Sequence, residues 1–267
     1  MRARLAVITS APVMLEHFLR DRDLHRRIDV EIPLLVRIHP SMKPRDRLRD
    51  LRRDIERRAR WTGRSRLAHL VEHFAWRAIH GAARTAASTT LATLPDVAWR
   101  EATATHDPSV RRALADLRAD LAVVFGGPPI PGPALDAMGV PLLNVHASDP
   151  SFCRGMPPVF WEVHAGRDVL TMTLHEIVAR LDAGRVVAQR EVPIAWRRTL
   201  VETLRATRDR MALDLPLLLG DGIGSVVAGT ARPREVPPGP LRTLPTLREI
   251  FTAERRCRER WRALPAT

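Results

Sequence analysis

Asn144 and His146 stand two residues apart at the end of the apolar run Val140-Pro141-Leu142-Leu143-Asn144-Val145. If that run is extended, both side chains share a face, because side chains alternate along a strand. An amide and a protonated imidazole on one face are paired donors for an oxygen that gains negative charge, as when an amine adds to a carbonyl carbon. Removing one such donor commonly slows a reaction about 100- to 1000-fold. Asp182 follows Asn144 after 38 positions. A carboxylate brought beside an imidazole favours the charged ring and, through a water, can relay the protons such an attack must move. Singly, each residue has a plainer reading: Asn144 can cap a turn, and His146 can be a hydrogen-bonded core histidine. Asn144 is also the single asparagine of the chain, retained in a composition that has otherwise shed that residue.

The pair belongs to a larger pattern. Asn144-Val145-His146-Ala147-Ser148 is followed by Arg154-Gly155, by Thr173-Leu174-His175 and by Leu181-Asp182-Ala183-Gly184, with 29 positions from His146 to His175. These four segments resemble the folate-dependent formyltransferase family, whose pattern is Asn-x-His-x-Ser, Arg-Gly, Thr-x-His and Leu-Asp-x-Gly. A lone Asn-x-His carries nothing; four parts at fixed distances are specific. The resemblance covers roughly residues 90–200, and the N-terminal half in outline. It implies a Rossmann-like sheet, 10-formyltetrahydrofolate as formyl donor, and catalytic roles for Asn144, His146 and Asp182. It further implies that the loop Phe125–Ile130 faces the pterin through Gly127, Pro128 and Ile130, and that Ala179, Arg180 and Leu181 form a second folate-facing loop. A plain strand–helix turn is the alternative for the first loop. It is not a Gly-x-Gly-x-x-Gly motif, so a dinucleotide finds little support. His175 reads as structural, fixing the loop that bears Asp182, and Arg154-Gly155 as a turn that shapes the site. Cys153 lacks the partners of a thiol nucleophile and reads as a small buried side chain.

The elements that must position these residues alternate between strand and helix. Strands are expected at 4–10, 29–38, 97–101, 120–125, 140–145, 169–176 and 185–194. Helices are expected at 12–21, 108–118, 133–138, 157–165, 198–219 and near 246–262, with two more between Pro44 and Thr85, broken near Thr62-Gly63. Leu121–Phe125 is a continuous apolar run, as in a strand buried on both faces. Asp107-Pro108 is an N-cap followed by proline at the first helical position. The fold class expected is α/β, a Rossmann-like, doubly wound, mostly parallel sheet with a helical insert and a short C-terminal extension. The chain divides into a catalytic domain at 1–220, carrying the insert at about 44–85, and a Pro- and Arg-rich extension at 221–267. In such sheets the site lies beyond the carboxyl ends of the strands, where Asn144 and His146 fall.

Composition narrows the partners. The net charge is +13, but only Lys43 among the 43 basic residues is lysine, and tyrosine is absent. That is the mark of a coding bias toward arginine. With arginines scattered and aromatics at 4%, a nucleic-acid surface is disfavoured. No run of the sequence suggests a membrane span or signal peptide, and two cysteines, Cys153 and Cys257, build no disulfide framework. The expected setting is cytoplasmic. One motif competes: His69-Leu70-Val71-Glu72-His73 matches a helical zinc pattern. Leu67, Leu70, Val71, Phe74, Ala75, Ala78 and Ile79 form an apolar helical face there, so His69, Glu72 and His73 read as the solvated side, with no metal expected.

Within the resembled family, Ser148-Asp149-Pro150 departs from the usual two leucines and proline after the serine, and Thr171 stands where glycine is common. Both alter the pocket wall more than the chemistry. The first loop, Thr9-Ser10-Ala11-Pro12, lacks the glycines that cradle the phosphate of a glycinamide ribonucleotide. The 47 residues after Gly220 are too few and too weakly patterned for the barrel of a tRNA formyltransferase. The expected acceptor is therefore a small amine, nucleotide-linked or not: an amino sugar, or a peptide or natural-product precursor. Formylation of tRNA, hydrolysis of the formyl-folate, and a non-catalytic basic RNA-binding protein are the alternatives.

Overall fold

The computed structural model describes residues 2–39, 44–83, 97–127 and 129–265. The chain opens with β1 (Ala3–Thr9), a 3-10 turn (Pro12–Leu15), α1 (Glu16–Arg20), α2 (Arg22–Arg27) and β2 (Val30–Ile38). The helical pair α3 (Pro44–Thr62) and α4 (Arg66–Ala82) precedes β3 (Ala98–Ala102), α5 (Pro108–Asp116) and β4 (Leu121–Phe125). Then come α6 (Gly132–Asp136), β5 (Leu142–His146), the two-residue β6 (Arg154–Gly155), α7 (Phe160–Ala165), β7 (Val169–Glu176) and β8 (Val186–Pro193). The long α8 (Leu200–Val227), a second two-residue strand β9 (Leu241–Arg242) and α9 (Leu247–Arg262) complete it.

Seven strands form one sheet in the order β3-β2-β1-β4-β5-β7-β8. The first five are parallel, and β7 runs antiparallel to both β5 and β8. This is the expected doubly wound, mostly parallel α/β architecture. Each central strand splits its side chains between two cores, as a period of two requires. Leu5, Val7, Leu121 and Val123 join Phe18, Leu215 and Leu218 on one face. Ala6, Ile8, Ala122 and Val124 join Val110, Ala113 and Leu114 of α5 on the other. Strands buried on both faces carry few polar residues, which is why those runs were readable.

Three differences from the sequence reading have physical causes. The helix expected at 12–21 is a 3-10 turn followed by α1, and α2 then starts on an Asp21 side chain that accepts from the Leu24 N–H. The helix expected to end at 219 continues to Val227 through Gly220, Gly222 and Gly224. Those glycines permit close packing: a β-carbon on Gly222 would lie 2.4 Å from Leu174 of β7, and one on Gly220 would lie 2.8 Å from Leu24. The third concerns α4. His69 and Glu72 are not solvated but buried, while Leu67, Val71 and Phe74 are exposed. Glu72 pairs with the buried guanidinium of Arg58 on α3 at 3.6 Å and also with Arg64. The His69 Nε2–H donates to Thr62 Oγ1 at 2.8 Å. Buried charge favours a nearby opposite charge, and α4 turns Glu72 toward Arg58 and Arg64 against its own apolar periodicity. Trp76 is the apolar side chain α4 does bury, edge-on to Phe160 of α7 at 5.4 Å.

Candidate active site

The strand β5 carries Asn144 and His146, and β7 lies antiparallel beside it with Asn144 opposite His175 and His146 opposite Thr173. Two of the four sequence segments are therefore cross-strand partners. The turn from β7 to β8 brings back Asp182, whose backbone sits at φ +46°. The His146 Nδ1 and Asp182 Oδ2 atoms are 3.7 Å apart, and His175 Nε2 lies 3.7 Å from Asp182 Oδ1. The three residues singled out from the sequence thus meet at one place, with His175 among them.

Hydrogen bonds define the ring orientations. His146 donates from Nε2 to the Cys153 carbonyl at 3.0 Å, leaving Nδ1 toward Asp182. His175 donates from Nδ1 to the Glu176 carbonyl at 2.8 Å. Its Nε2 lone pair then requires a donor, which the Asn144 Nδ2 supplies at 3.1 Å. One N–H of the Asn144 amide remains uncommitted in this set. The Asp182 carboxylate accepts from the Gly155 N–H at 2.8 Å.

Burial and charge oppose one another here. Burial pushes the His146 imidazole below its ordinary value, against the upward pull of Asp182 and the Cys153 carbonyl. That direction favours the neutral ring at rest, where the sequence pointed to a charged one. Burial by itself would raise the Asp182 carboxyl, but the neighbouring His175 and His146 rings and the Gly155 N–H outweigh it, and the group lies below the ordinary carboxylate range. Burial pushes the Cys153 thiol up to about 12, consistent with an inert buried side chain.

A cavity of about 230 Å³ opens beyond the carboxyl ends of β4 and β5, with Asn144, His146, His175 and Asp182 in its wall. Its remaining lining is mostly apolar, including Phe125, Ile130, Ile177 and Leu181. Of the residues expected to face a folate, Gly127, Ile130, Ala179 and Leu181 line this cavity. Arg180 is exposed and is not among the lining residues, and Pro128 lies outside the described residues. His175 was read as structural, yet it lies in the wall and orients Asn144; its place opposite Asn144 depends on the β5–β7 register. The cavity's mostly apolar wall ends in the polar groups of Asn144, His146, His175 and Asp182. Among the described residues no cluster of three or more His, Cys, Asp or Glu side chains is placed to hold a metal ion.

Comparison with known proteins agrees with this geometry. Residues 68–215 match the family model described as formyl transferase. The chain is 33% identical over 104 residues to a methionyl-tRNA formyltransferase of Geobacillus sp. (strain WCH70), covering 39% of this chain and 31% of that protein. It is 30% identical over 129 residues to the methionyl-tRNA formyltransferase of Stutzerimonas stutzeri (strain A1501), covering 48% and 40%. The match therefore spans less than half the length of these curated relatives. Among solved structures, a sugar N-formyltransferase from Shewanella sp FDAARGOS_354 superposes with a TM-score of 0.53 at 11% identity, covering 96% of this chain and 87% of the other. Glycinamide ribonucleotide transformylase 1 from Symbiobacterium toebii superposes with a TM-score of 0.53 at 19% identity, covering 88% and 95%. At these identities the superpositions establish the shared fold.

Proposed function

The chain belongs to the formyl transferase family, and we propose that it transfers a formyl group from 10-formyltetrahydrofolate to the primary amine of a small acceptor. The observation that carries this reading is the convergence of Asn144, His146 and Asp182 on one cavity wall, each oriented by a separate hydrogen bond. The donor supplies the electrophilic formyl carbon. The spare amide hydrogen of Asn144 stabilises the oxygen that gains charge as the amine adds. Neutral His146 takes the amine's proton at Nδ1, since its Nε2–H is committed to Cys153, and Asp182 stabilises the imidazolium that results; the proton then passes to the folate nitrogen as the bond between the formyl carbon and that nitrogen breaks. Water exclusion by the apolar lining strengthens each of these interactions.

The first loop bears on the class of acceptor. Thr9-Ser10-Ala11-Pro12 leads straight into a 3-10 turn with Pro12 in its first turn, and the proline nitrogen has no hydrogen to offer. A loop of this kind gives poor support to the phosphate of a glycinamide ribonucleotide, which favours an acceptor held in another way, such as an amino sugar or a natural-product or peptide amine.

The test is a panel of primary amines incubated with 10-formyltetrahydrofolate, read by the mass gain of one formyl group. Formylation of a small amine by the wild-type chain, with Asn144→Ala and Asp182→Asn each slowed on the order of 100- to 1000-fold, is the expected result. Folate release at the same rate with and without amines would mean hydrolysis instead. Unchanged turnover in both variants would remove these residues from the chemistry.

A further inference from the structure

The short strand Arg154–Gly155 pairs in parallel with Leu241–Arg242, far along the chain. The Arg154 N–H donates to the Pro240 carbonyl at 3.1 Å, and the Met156 N–H to the Arg242 carbonyl at 3.1 Å. The Gly239 N–H returns a bond to the Pro150 carbonyl at 2.9 Å. Arg154 is itself buried: its Nε donates to the Gly239 carbonyl at 2.8 Å, and its Nη1 to the Leu181 carbonyl, one residue before Asp182, at 3.3 Å.

This pairing dictates which way two other peptide groups point. A trans peptide unit holds its C=O and N–H on opposite sides, so with the Arg154 N–H facing Pro240 the Cys153 carbonyl faces away from the strap. The N–H groups of residues 154 and 156 bond to the strap, and the Gly155 N–H between them, at a residue with φ +89°, points to the site instead. The Cys153 carbonyl and the Gly155 N–H are the two groups that bind His146 Nε2 and Asp182 Oδ2. We propose that residues 239–242 form a positioning strap for the catalytic site, fixing the tautomer of His146 and the ionisation of Asp182 through the peptide groups of residues 153–155. The inference deepens the reading of this site as a formyl-transfer centre and rests on it.

The strap is built for close contact and held from behind. A β-carbon on Gly155 would lie 2.4 Å from the Arg242 carbonyl oxygen, and one on Gly239 would lie 2.4 Å from the Ser151 carbonyl oxygen. The Arg242 guanidinium stacks over Trp161 of α7 at 4.8 Å, and α9, which follows the strap, contributes Ile250, Ala253 and Cys257 to the main core. Trp161 of α7 thus meets both segments, lying under the Arg242 guanidinium of the strap and donating its Nε1–H to the Met156 carbonyl at 3.3 Å.

Two variants test the strap. Gly239→Ala forces it off Ser151, and Arg154→Lys removes the bridge from Gly239 to Leu181 while keeping the charge; Arg232→Ala, exposed and outside the strap, is the control. NMR titration of His146 and Asp182 is compared with turnover of 10-formyltetrahydrofolate in a mixture of primary amines. Both strap variants are expected to move Asp182 upward and His146 downward and to lower kcat on the order of 100-fold, with KM for the donor near wild type. Folded strap variants with both titrations and kcat unchanged would overturn the proposal. If Gly239→Ala does not fold, Arg154→Lys decides alone, because it loosens the strap at the Gly239 carbonyl by removing one side chain's bonds and adds no β-carbon to the packed segment. A wild-type chain that never consumes the donor would defeat the formyl-transfer reading while the titrations still report on the strap.

Discussion

Glu162 is buried on α7, with the Ser148 hydroxyl donating to one of its oxygens and the other without a partner among the described residues. Burial raises its carboxyl above the ordinary carboxylate range, against the opposing pull of Ser148. A carboxyl raised on folding costs stability as pH climbs from its unfolded value toward its folded one, because the folded state then holds the extra proton. Glu162→Gln is expected to flatten that loss, giving denaturation midpoints at neutral pH at or above wild type; a midpoint series in urea from acid to neutral pH checks it. Asp182 has the opposite sign. Its depressed carboxyl adds stability above the unfolded value, and this is lost as pH falls through the folded value. His146, depressed by burial, makes a further prediction about rate. If its neutral ring accepts the amine's proton, the acid limb of the kcat profile falls below the ordinary histidine value, so activity persists where a free imidazole would already be charged. An acid limb at or above the ordinary histidine value would show that His146 is not the acceptor of that proton.

At the scale of elements, α4 and α8 show how packing overrides local pattern. The His69-x-x-Glu72-His73 segment has metal-site spacing on a helix, but Glu72 accepts from Arg64 and lies 3.6 Å from Arg58, whose side chain is 4% exposed. Glu72→Ala leaves that guanidinium buried beside Asp54 alone at 3.8 Å. The expected loss is about 3 kcal/mol, measured by chemical denaturation, and the active-site titrations should be untouched. A loss within the range of ordinary surface changes would mean that Arg58 finds water or another partner. In α8 the three glycines look like a stop signal in isolation. Their function is steric: with no β-carbon, the helix lies down on Leu24, Ile28 and Leu174. The capping box at its start, with Thr199 and Glu202 each accepting the other's backbone N–H, follows the ordinary local rule.

For the molecule as a whole, the charge of +13 comes from arginines spread over many surfaces, and many on the helices are paired with acids one turn away, as Arg52 with Glu56 and Arg258 with Glu254. A basic surface of this kind attracts polyanions without reading them. Binding to mixed RNA is expected to weaken steeply between about 50 and 200 mM salt, and saturating RNA should leave donor turnover unchanged. RNA that competes with the donor, or binds tightly at the higher salt, would place nucleic acid at the cavity and reopen the RNA-binding alternative.

The sequence by itself determined the alternation of strands and helices, because strands buried on both faces are long apolar runs and the helices between them carry their own caps. It also placed Asn144 and His146 on one face, since two positions along a strand is one period. The tertiary structure decided what lay across strands and between distant segments. His175 faces Asn144 through the β5–β7 register, which no local pattern encodes. The orientation of α4 places Glu72 beside Arg58 on another helix, a contact its own apolar periodicity does not announce. The pairing of residues 239–242 with Arg154–Gly155 joins positions more than eighty apart through backbone atoms, and backbone groups are nearly identical at every residue, so side-chain types carry little trace of them.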